Sequence, residues 1–173
     1  MNILLTGGSA CGKSTFAESL CEKQTKPLYY IATMRPYDDE CLAKIAKHQK
    51  QRAAKGFWTI EQYTGMDKLR LPKRGTALLE CVCNLTANEM FDDAGSIREA
   101  FEPVLLGIEA LAGQCEHLVV VTNDVGSDCR VLDDGTERYN ETLGRLNTAL
   151  AQRFDCVCEL VCGIPLVLKG ELP

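Results

Sequence analysis

The strongest constraint on the fold of this chain is a glycine-rich stretch near its start, Gly7-Gly8-Ser9-Ala10-Cys11-Gly12-Lys13-Ser14. It matches the pattern G-x-x-x-x-G-K-[ST] in full. The apolar run at 2–6 predicts a short buried strand before it, and residues 13–24 predict a helix after it. A strand, a glycine-rich loop and a helix in this order are typical of a P-loop, whose backbone N–H groups bind phosphate.

The residue types of this loop suit a nucleoside triphosphate. Glycines let the backbone turn sharply, so that successive N–H groups point at phosphate oxygens, and the helix N-terminus adds partial positive charge. We expect Lys13 to reach the β- and γ-phosphates and the Ser14 hydroxyl to bind Mg²⁺. A glycine-rich turn without a ligand is the alternative, but it would leave backbone donors unpaired. We therefore interpret all of residues 7–14 as nucleotide-binding.

Length, charge and cysteine content exclude several classes of protein. The 173 residues, 46% of them hydrophobic, predict a single catalytic domain over 1–173. A net charge of −5 argues against a general nucleic-acid binder. No apolar run approaches the length of a membrane span, and the N-terminal one leads into the loop rather than forming a signal peptide, so we expect a cytosolic protein. The ten cysteines contain no C-x-x-C pair and are expected to be reduced and mostly buried.

Apolar runs alternate with helical patterns along the chain. Strands are predicted at 2–6, 28–33, 76–82, 118–123, 155–162 and 164–169, and helices at 13–24, 38–55, 96–115 and 136–153. Segments 62–75 and 83–96 have the weakest pattern and are interpreted as loops. Strands that are apolar throughout predict a sheet covered on both faces. The alternation therefore predicts a three-layer α/β P-loop domain with a mostly parallel central sheet.

Polar residues at the ends of the predicted strands are the next candidates for the site. Ligands of such sheets bind beyond the carboxyl ends of the strands, so the residues after Thr6, Thr33, Cys81 and Asn123 are expected to converge. Glu80 follows a buried apolar run, which is the Walker-B arrangement that holds Mg²⁺ or its bound water. A solvated strand end is the alternative for Glu80. The run 122–126 is either a turn or part of the nucleotide site.

His48 lies in the predicted helix 38–55, on a face that its spacing directs inward. Positions 41, 45, 48 and 52 fall within about 40° of one another on a helix, so His48 and Arg52 continue the apolar stripe of Cys41 and Ile45. Spacing alone leaves two interpretations open. His48 is either a hydrogen-bonded histidine at the edge of the core or a nucleophile, because a neutral imidazole attacks phosphorus. In the second case Arg52 pairs with phosphate oxygens.

Further motifs continue the series in order along nearly the whole chain: Tyr30-Ile31-Ala32-Thr33, Trp58-x-x-Glu61, Leu78-Leu79-Glu80-Cys81, Thr122-Asn123-Asp124-Val125-Gly126, Gly144-x-x-Asn147 and Gly163-Ile164-Pro165-Leu166. Together with the P-loop, His48 and Arg52, they resemble the adenosylcobinamide kinase / adenosylcobinamide-phosphate guanylyltransferase family (CobU). The helix carrying His48 and Arg52 after Tyr-Ile-Ala-Thr is the most specific part of this resemblance.

The resemblance implies a bifunctional enzyme of cobalamin synthesis. The γ-phosphate of ATP or GTP would move to a hydroxyl of adenosylcobinamide, and GMP from GTP would then pass through a histidine to give adenosylcobinamide-GDP. The resemblance places the guanylylated histidine at His48. With the roles that the motifs themselves indicate, the predicted catalytic residues are His48, Lys13, Arg52 and Glu80, and Ser14 and Glu80 are the predicted Mg²⁺ ligands. Four more residues join 7–14 as predicted nucleotide-binding residues, and they are Thr15, Thr33, Glu61 and Glu80. The resemblance also implies a RecA-like fold and a homotrimer with sites near the subunit interfaces.

Two other functions remain open on the residues alone. The first is another P-loop small-molecule or nucleoside monophosphate kinase, which transfers the γ-phosphate without a covalent nucleotidyl enzyme. The second is a non-catalytic nucleotide-binding protein that regulates a partner.

Overall fold

The computed structural model describes residues 1–36, 54–92, 94–124 and 133–173. Its strands are β1 (Asn2–Thr6), β2 (Leu28–Ala32), β3 (Phe57–Glu61), β4 (Thr76–Leu79), β5 (His117–Val121), β6 (Cys156–Val161) and β7 (Ile164–Lys169). Its helices are α1 (Lys13–Glu22), α2 (Val82–Met90), α3 (Phe101–Gln114) and α4 (Asp134–Arg153), with a short 3₁₀ helix at Met66–Lys68. The predicted helix 38–55, with His48 and Arg52, falls mainly on residues outside this description.

The strands form a seven-stranded sheet in the order β3-β2-β4-β5-β1-β6-β7. Every pairing is parallel except that of β6 with β7, which are joined by a tight turn and run antiparallel. In the middle of the sheet, Leu4 of β1 pairs with Val120 on one side and Val157 on the other. The predicted mostly parallel sheet is therefore confirmed.

Helices cover both faces of the sheet, which gives the predicted three layers. Successive strand residues point to opposite faces, so Leu4 and Leu5 enter different clusters of buried side chains. Leu5 packs in the cluster that includes Ala17 and Leu20 of α1. Leu4 packs in the larger cluster, to which α2, α3 and α4 contribute. This double burial is the reason that the strands are apolar throughout.

Within the described ranges, no helix combines the length and the apolar character needed to cross a lipid bilayer.

The prediction of a loop over 83–96 is wrong in its first half, where α2 runs to Met90. The predicted strand 76–82 accordingly ends earlier, at Leu79, and Cys81 becomes the N-cap of α2 with an extended backbone. The helix contains weak helix formers such as Asn84 and Asn88, which hide its pattern. It forms because one side of it is buried in the core, through Val82, Cys83, Leu85, Thr86 and Met90.

One further strand and the starts of two helices also differ from the sequence prediction, each for a physical reason. β3 has no counterpart among the predicted strands, because it lies at an edge of the sheet and its Trp58 is 60% exposed. α3 begins at Phe101 rather than at 96, since Pro103 is tolerated only in the first turn of a helix. The last helix begins at Asp134 rather than at 136, because Asp133 caps it: the Asp133 carboxylate accepts a 3.0 Å hydrogen bond from the Thr136 N–H.

Candidate nucleotide-binding site

The loop between β1 and α1 requires glycine at two positions. Gly7 has a φ of 137°, and a Cβ added there would lie 2.5 Å from the backbone oxygen of Leu160. Gly12 has a φ of 95° and is the N-cap of α1. Because α1 begins at the next residue, the unpaired N–H groups of its first turn open toward the loop. The loop therefore has the form that its sequence predicts for phosphate binding.

Alanine at Gly7 and alanine at Gly8 are expected to have different effects on stability, because only a Cβ at Gly7 would meet the Leu160 carbonyl. Gly7→Ala is expected to lower the free energy of unfolding by about 2–3 kcal/mol, because the new methyl group meets a backbone carbonyl at a φ that alanine avoids. Gly8→Ala is the matched control: a Cβ there meets nothing within 4 Å, so we expect a change within about 0.5 kcal/mol. Urea unfolding followed by circular dichroism measures both, and equal effects would contradict this account of the loop.

Lys13 is a buried cation held by the loop itself. Its side chain is only 6% exposed. Its Nζ donates hydrogen bonds to the carbonyl oxygens of Gly7 at 2.8 Å and Gly8 at 2.6 Å, and lies 3.7 Å from Cys11 Sγ. A buried ammonium group is costly unless its donors are paired, and the loop carbonyls supply that pairing. The positive charge is thus fixed beside the loop, where it can meet an incoming phosphate.

The P-loop forms one wall of a cleft of about 460 Å³, a size typical of small-ligand sites. Residues Ser9 to Thr15 line this wall. The other lining residues lie at or just after the carboxyl ends of β2, β4 and β5, and they are Met34, Glu80, Cys81, Asn84, Val121 and Asn123. The predicted convergence of the strand ends is therefore confirmed. Gly7 is buried and Gly8 is exposed, and neither lines the cleft, so direct contact of these two residues with a nucleotide stays a prediction.

Glu80 joins the ends of β2 and β4 at the cleft. Its Oε1 accepts a hydrogen bond from the Tyr30 hydroxyl at 2.9 Å. Its Oε2 accepts from the N–H groups of Thr33 at 2.9 Å and Met34 at 3.1 Å. A carboxylate offers about four acceptor positions, so these donors leave room for a further ligand on the cleft side. Glu80 thus both positions the segment after β2 and faces the cleft.

Thr33 lies beneath the cleft, and its polar groups bond within the protein. The residue is fully buried. Its hydroxyl donates to the Cys81 carbonyl at 3.1 Å, and its own carbonyl accepts from Asn88 Nδ2 at 2.8 Å. These bonds hold the end of β2 against α2. A direct contact of Thr33 with a nucleotide stays a prediction.

Glu61 lies at the same edge of the sheet but far from the P-loop. It ends β3, and three strands separate β3 from β1, a distance of about 19 Å at the usual strand spacing. Its carboxylate accepts a 2.8 Å hydrogen bond from the Tyr63 hydroxyl. Burial, together with this hydrogen bond, raises the pKa of Tyr63 to about 12, so the phenol remains a donor at neutral pH. A role for Glu61 in nucleotide binding stays a prediction.

The candidates His48 and Arg52 lie outside the described residues, but the chain on either side of their segment is described. On the N-terminal side, Met34 lines the cleft. On the C-terminal side, the Lys55 ammonium forms ion pairs with Glu18 at 2.6 Å and Glu22 at 3.1 Å, both on α1. The described chain therefore leaves the cleft before 37–53 and is fastened to the P-loop helix after it.

Two asparagines that line the cleft, Asn84 and Asn123, were not named as binding residues in the sequence analysis. Asn84 is in the first turn of α2, a helix that the weak pattern of 83–96 concealed. Asn123 belongs to the run 122–126, for which a turn was the alternative, and the structure brings it to the cleft. Asn147 of α4 fixes this strand end: its Oδ1 accepts from Thr122 Oγ1 at 2.7 Å, and its Nδ2 donates to the Asn123 carbonyl at 3.3 Å. These bonds explain why Asn147 accompanies the strand-end motif in the sequence.

This chain is similar in sequence to a known family of nucleotide-using enzymes and to individual members of it. The chain matches the model of the CobU family, described as cobinamide kinase / cobinamide phosphate guanyltransferase, over residues 3–168. It is 32% identical over 183 residues to the bifunctional adenosylcobalamin biosynthesis protein CobU of Escherichia coli (strain K12), covering 98% of this chain and 100% of that protein. It is also 32% identical over 176 residues to the bifunctional adenosylcobalamin biosynthesis protein CobP of Pseudomonas aeruginosa, covering 99% of each.

Among solved structures, the chain is similar to an ATPase from the type III secretion system of pathogenic bacteria. The TM-score is 0.53 at 12% sequence identity, and the match covers 92% of this chain and 51% of the ATPase. At this identity the likeness shows the fold alone, that of a P-loop NTPase. The family model matches nearly the whole length of this chain, and the chain has the P-loop cleft and the mostly parallel sheet described above. This chain therefore belongs to the cobinamide kinase / cobinamide phosphate guanyltransferase family.

Proposed function

We propose that this chain is a bifunctional enzyme of cobalamin biosynthesis that acts on adenosylcobinamide. It phosphorylates a hydroxyl of adenosylcobinamide with ATP or GTP, and it then transfers GMP from GTP to the resulting phosphate to give adenosylcobinamide-GDP. The observation that carries the proposal is a P-loop cleft with Lys13 and Glu80 in a chain that the family model matches over residues 3–168.

In the kinase step the chain supplies position and charge. Phosphoryl transfer needs little covalent help from the protein, so catalysis rests on holding the triphosphate and neutralising its charge. The loop N–H groups bind the phosphate oxygens. The Lys13 ammonium exchanges the carbonyls of Gly7 and Gly8 for oxygens of the β- and γ-phosphates. The substrate hydroxyl then attacks the γ-phosphorus, and the nucleoside diphosphate leaves.

Mg²⁺ fits the oxygen donors on the two walls of the cleft. The Ser14 hydroxyl and the Glu80 carboxylate both line it, and Mg²⁺ is usually held by one or two such groups together with substrate phosphates and water. Among the described residues no cluster of three or more His, Cys, Asp or Glu side chains is arranged to hold a metal by itself. A bound Mg²⁺ would neutralise charge on the transferring phosphate. Ser14 and Glu80 are the residues that would hold it.

In the second step we assign the nucleophile to His48. A ring nitrogen of the neutral imidazole attacks the α-phosphorus of GTP, and pyrophosphate leaves as the new N–P bond forms. A phosphate oxygen of adenosylcobinamide phosphate then attacks the same phosphorus, and the histidine leaves. Arg52, one turn further along the predicted helix, pairs with the phosphate oxygens during both displacements. The position of His48 along the family's motifs supports this assignment.

The experiment that tests the proposal supplies the purified chain with adenosylcobinamide, ATP and GTP labelled at the α-phosphate. We expect mass spectrometry to find adenosylcobinamide phosphate and adenosylcobinamide-GDP, and we expect label to remain on the protein when cobinamide is omitted. A kinase of another kind would phosphorylate a nucleoside monophosphate in preference and carry no label. A regulatory protein would bind GTP without turning it over.

We also propose that the chain forms a homotrimer through β7. This last strand of the sheet order exposes a row of large apolar side chains, with Ile164 at 62%, Leu166 at 45% and Leu168 at 63% exposure. An exposed apolar edge strand is typical of a surface that pairs with another chain. The turn before β7 also lies beside the P-loop, since a Cβ added at Gly12 would be 3.9 Å from the Cα of Gly163. Contact between copies at β7 would therefore adjoin the nucleotide site.

Sedimentation of charged variants tests this interface. The wild type is expected to sediment at about three times the chain mass of 19.1 kDa. The double variant Leu166→Glu, Leu168→Glu is expected to shift to the single-chain mass, because burying two carboxylates in an apolar interface is costly. Leu106→Glu is the matched control, since Leu106 is equally apolar and 54% exposed on α3. A wild type of single-chain mass would refute the trimer, and loss of assembly in the control alone would move the interface to α3.

A further inference from the structure

The Tyr30 side chain reaches from β2 to the carboxylate at the end of β4 that faces the cleft. The two strands run parallel, and Tyr30 pairs with Leu78, two residues before Glu80. Two residues of a strand span about 6.6 Å, and the long phenol covers this distance along the neighbouring strand. Its hydroxyl donates a 2.9 Å hydrogen bond to Glu80 Oε1. A side chain from the middle of β2 thus contacts a residue of the candidate nucleotide site.

Packing fixes the position of the Tyr30 hydroxyl. The residue is only 4% exposed, and its ring packs edge-on against Phe57, with the ring centroids 6.4 Å apart and the planes at 89°. Because buried side chains interdigitate with few voids, such a ring has little freedom to move. The described lining of the cleft does not include Tyr30. Its hydroxyl therefore acts on a bound ligand through Glu80 rather than by touching that ligand.

The Glu80 carboxylate is restrained at both of its oxygens. Oε1 accepts from Tyr30, and Oε2 accepts from the backbone N–H groups of Thr33 at 2.9 Å and Met34 at 3.1 Å. The last torsion of a glutamate side chain is broad when nothing restrains it. Donors on both oxygens fix that torsion, and with it the direction of the acceptor position that remains toward the cleft. The backbone donors stay in every variant, whereas a substitution can remove the Tyr30 hydroxyl.

We propose that Tyr30 is a positioning residue whose hydroxyl turns the Glu80 carboxylate toward a divalent metal ion in the cleft. This role rests on the proposed function, which assigns Mg²⁺ to Ser14 and Glu80. Mg²⁺ demands nearly ideal octahedral geometry at about 2.0–2.1 Å, so a carboxylate that rotates freely is a poor ligand for it. Removal of a hydrogen-bond partner that orients a metal ligand typically costs about 10–100-fold in metal affinity or activity.

Tyr30→Phe removes the hydroxyl and keeps the ring. Mn²⁺ serves as the probe, because the electron paramagnetic resonance signal of the free ion falls when the ion binds. We expect the affinity of the complex between the chain and ATP for Mn²⁺ to fall at least about tenfold in Tyr30→Phe. Binding of ATP in the presence of EDTA, measured by calorimetry, is expected to change less than about twofold, since the P-loop and Lys13 remain.

Tyr29→Phe is the matched control. Tyr29 is the neighbouring residue of β2, is fully buried, and donates a 2.9 Å hydrogen bond to the Lys73 carbonyl. Its side chain points to the opposite face of the sheet from that of Tyr30. We therefore expect Tyr29→Phe to lower stability without changing the affinity for Mn²⁺.

A double-mutant cycle with Glu80→Gln separates positioning from a general effect on the fold. Glutamine lacks the charged oxygen that would bind the metal, so Tyr30→Phe is expected to cause no further loss of Mn²⁺ affinity in the Glu80→Gln background. A loss that persists there in full would overturn the proposal. Equal Mn²⁺ affinity in wild type and Tyr30→Phe, or an equal loss in Tyr29→Phe, would also overturn it.

The Mn²⁺ titration contains no adenosylcobinamide, so its result is independent of the reaction that the chain catalyses. A chain that shows the expected Mn²⁺ affinities but forms no adenosylcobinamide phosphate would refute the proposed function and support the role of Tyr30. A chain that forms both cobinamide products, with the same Mn²⁺ affinity in Tyr30→Phe as in wild type, would support the proposed function and refute the role of Tyr30.

Discussion

Replacement of His48 by alanine is expected to abolish covalent guanylylation of the protein and to slow guanylyl transfer at least about 1,000-fold. A nucleophile that forms a covalent intermediate divides one difficult displacement into two easier ones, and alanine has no atom that can attack phosphorus. The kinase step is expected to persist, because the P-loop and Lys13 supply its position and charge. Protein-bound label from GTP and the two cobinamide products, measured separately, check this expectation.

His117 provides the matched control, because the chain has only two histidines. It begins β5 at the amino end of the strand, and the site lies at the carboxyl ends. His117→Gln is therefore expected to retain the label. Equal label on wild type and His48→Ala would remove His48 as the nucleophile. Loss of the kinase step together with the label in His48→Ala would instead indicate a structural role.

Replacement of Lys13 is expected to weaken both reactions, since one P-loop holds the triphosphate for each. We expect Lys13→Ala to reduce turnover at least about 100-fold and to weaken GTP binding about tenfold or more, because a buried cation that meets phosphate oxygens is lost. The substitution also leaves the carbonyl oxygens of Gly7 and Gly8 without their donor, at a cost of about 1–3 kcal/mol in the free energy of unfolding. Calorimetric titration with GTP and urea unfolding measure the two effects.

Two further variants separate charge from folding at this position. Lys13→Gln keeps an amide that can donate to the loop carbonyls but removes the positive charge, so it is expected to restore stability without restoring turnover. Lys23→Ala removes a lysine at the C-cap of the same helix, and its GTP affinity is expected to equal that of the wild type. An unchanged GTP affinity in Lys13→Ala would contradict the assignment of 7–14 as the phosphate-binding loop.

The P-loop was predictable from the sequence because its geometry is local. Gly7 and Gly12 take positive φ angles that glycine adopts without strain, and Lys13 bonds to carbonyls only a few residues away. The buried strands were predictable for a similar reason: a sheet covered on both faces selects apolar residues at every position. Sequence reasoning missed β3 and α2, whose own patterns are weak. β3 forms by pairing with β2 at the edge of the sheet, and α2 forms because one side of it is buried in the core.

The sequence by itself determined the phosphate-binding loop, the class of fold and the order of motifs that identifies the family. The tertiary structure decided what surrounds that loop. It directed Glu80 to the Tyr30 hydroxyl and the backbone of Thr33, brought Asn123 to the cleft, and joined Cys81 and Cys83 to the same amide group. These contacts link residues 40 or more positions apart. Such partners depend on the order in which the strands pair, and no local propensity encodes that order.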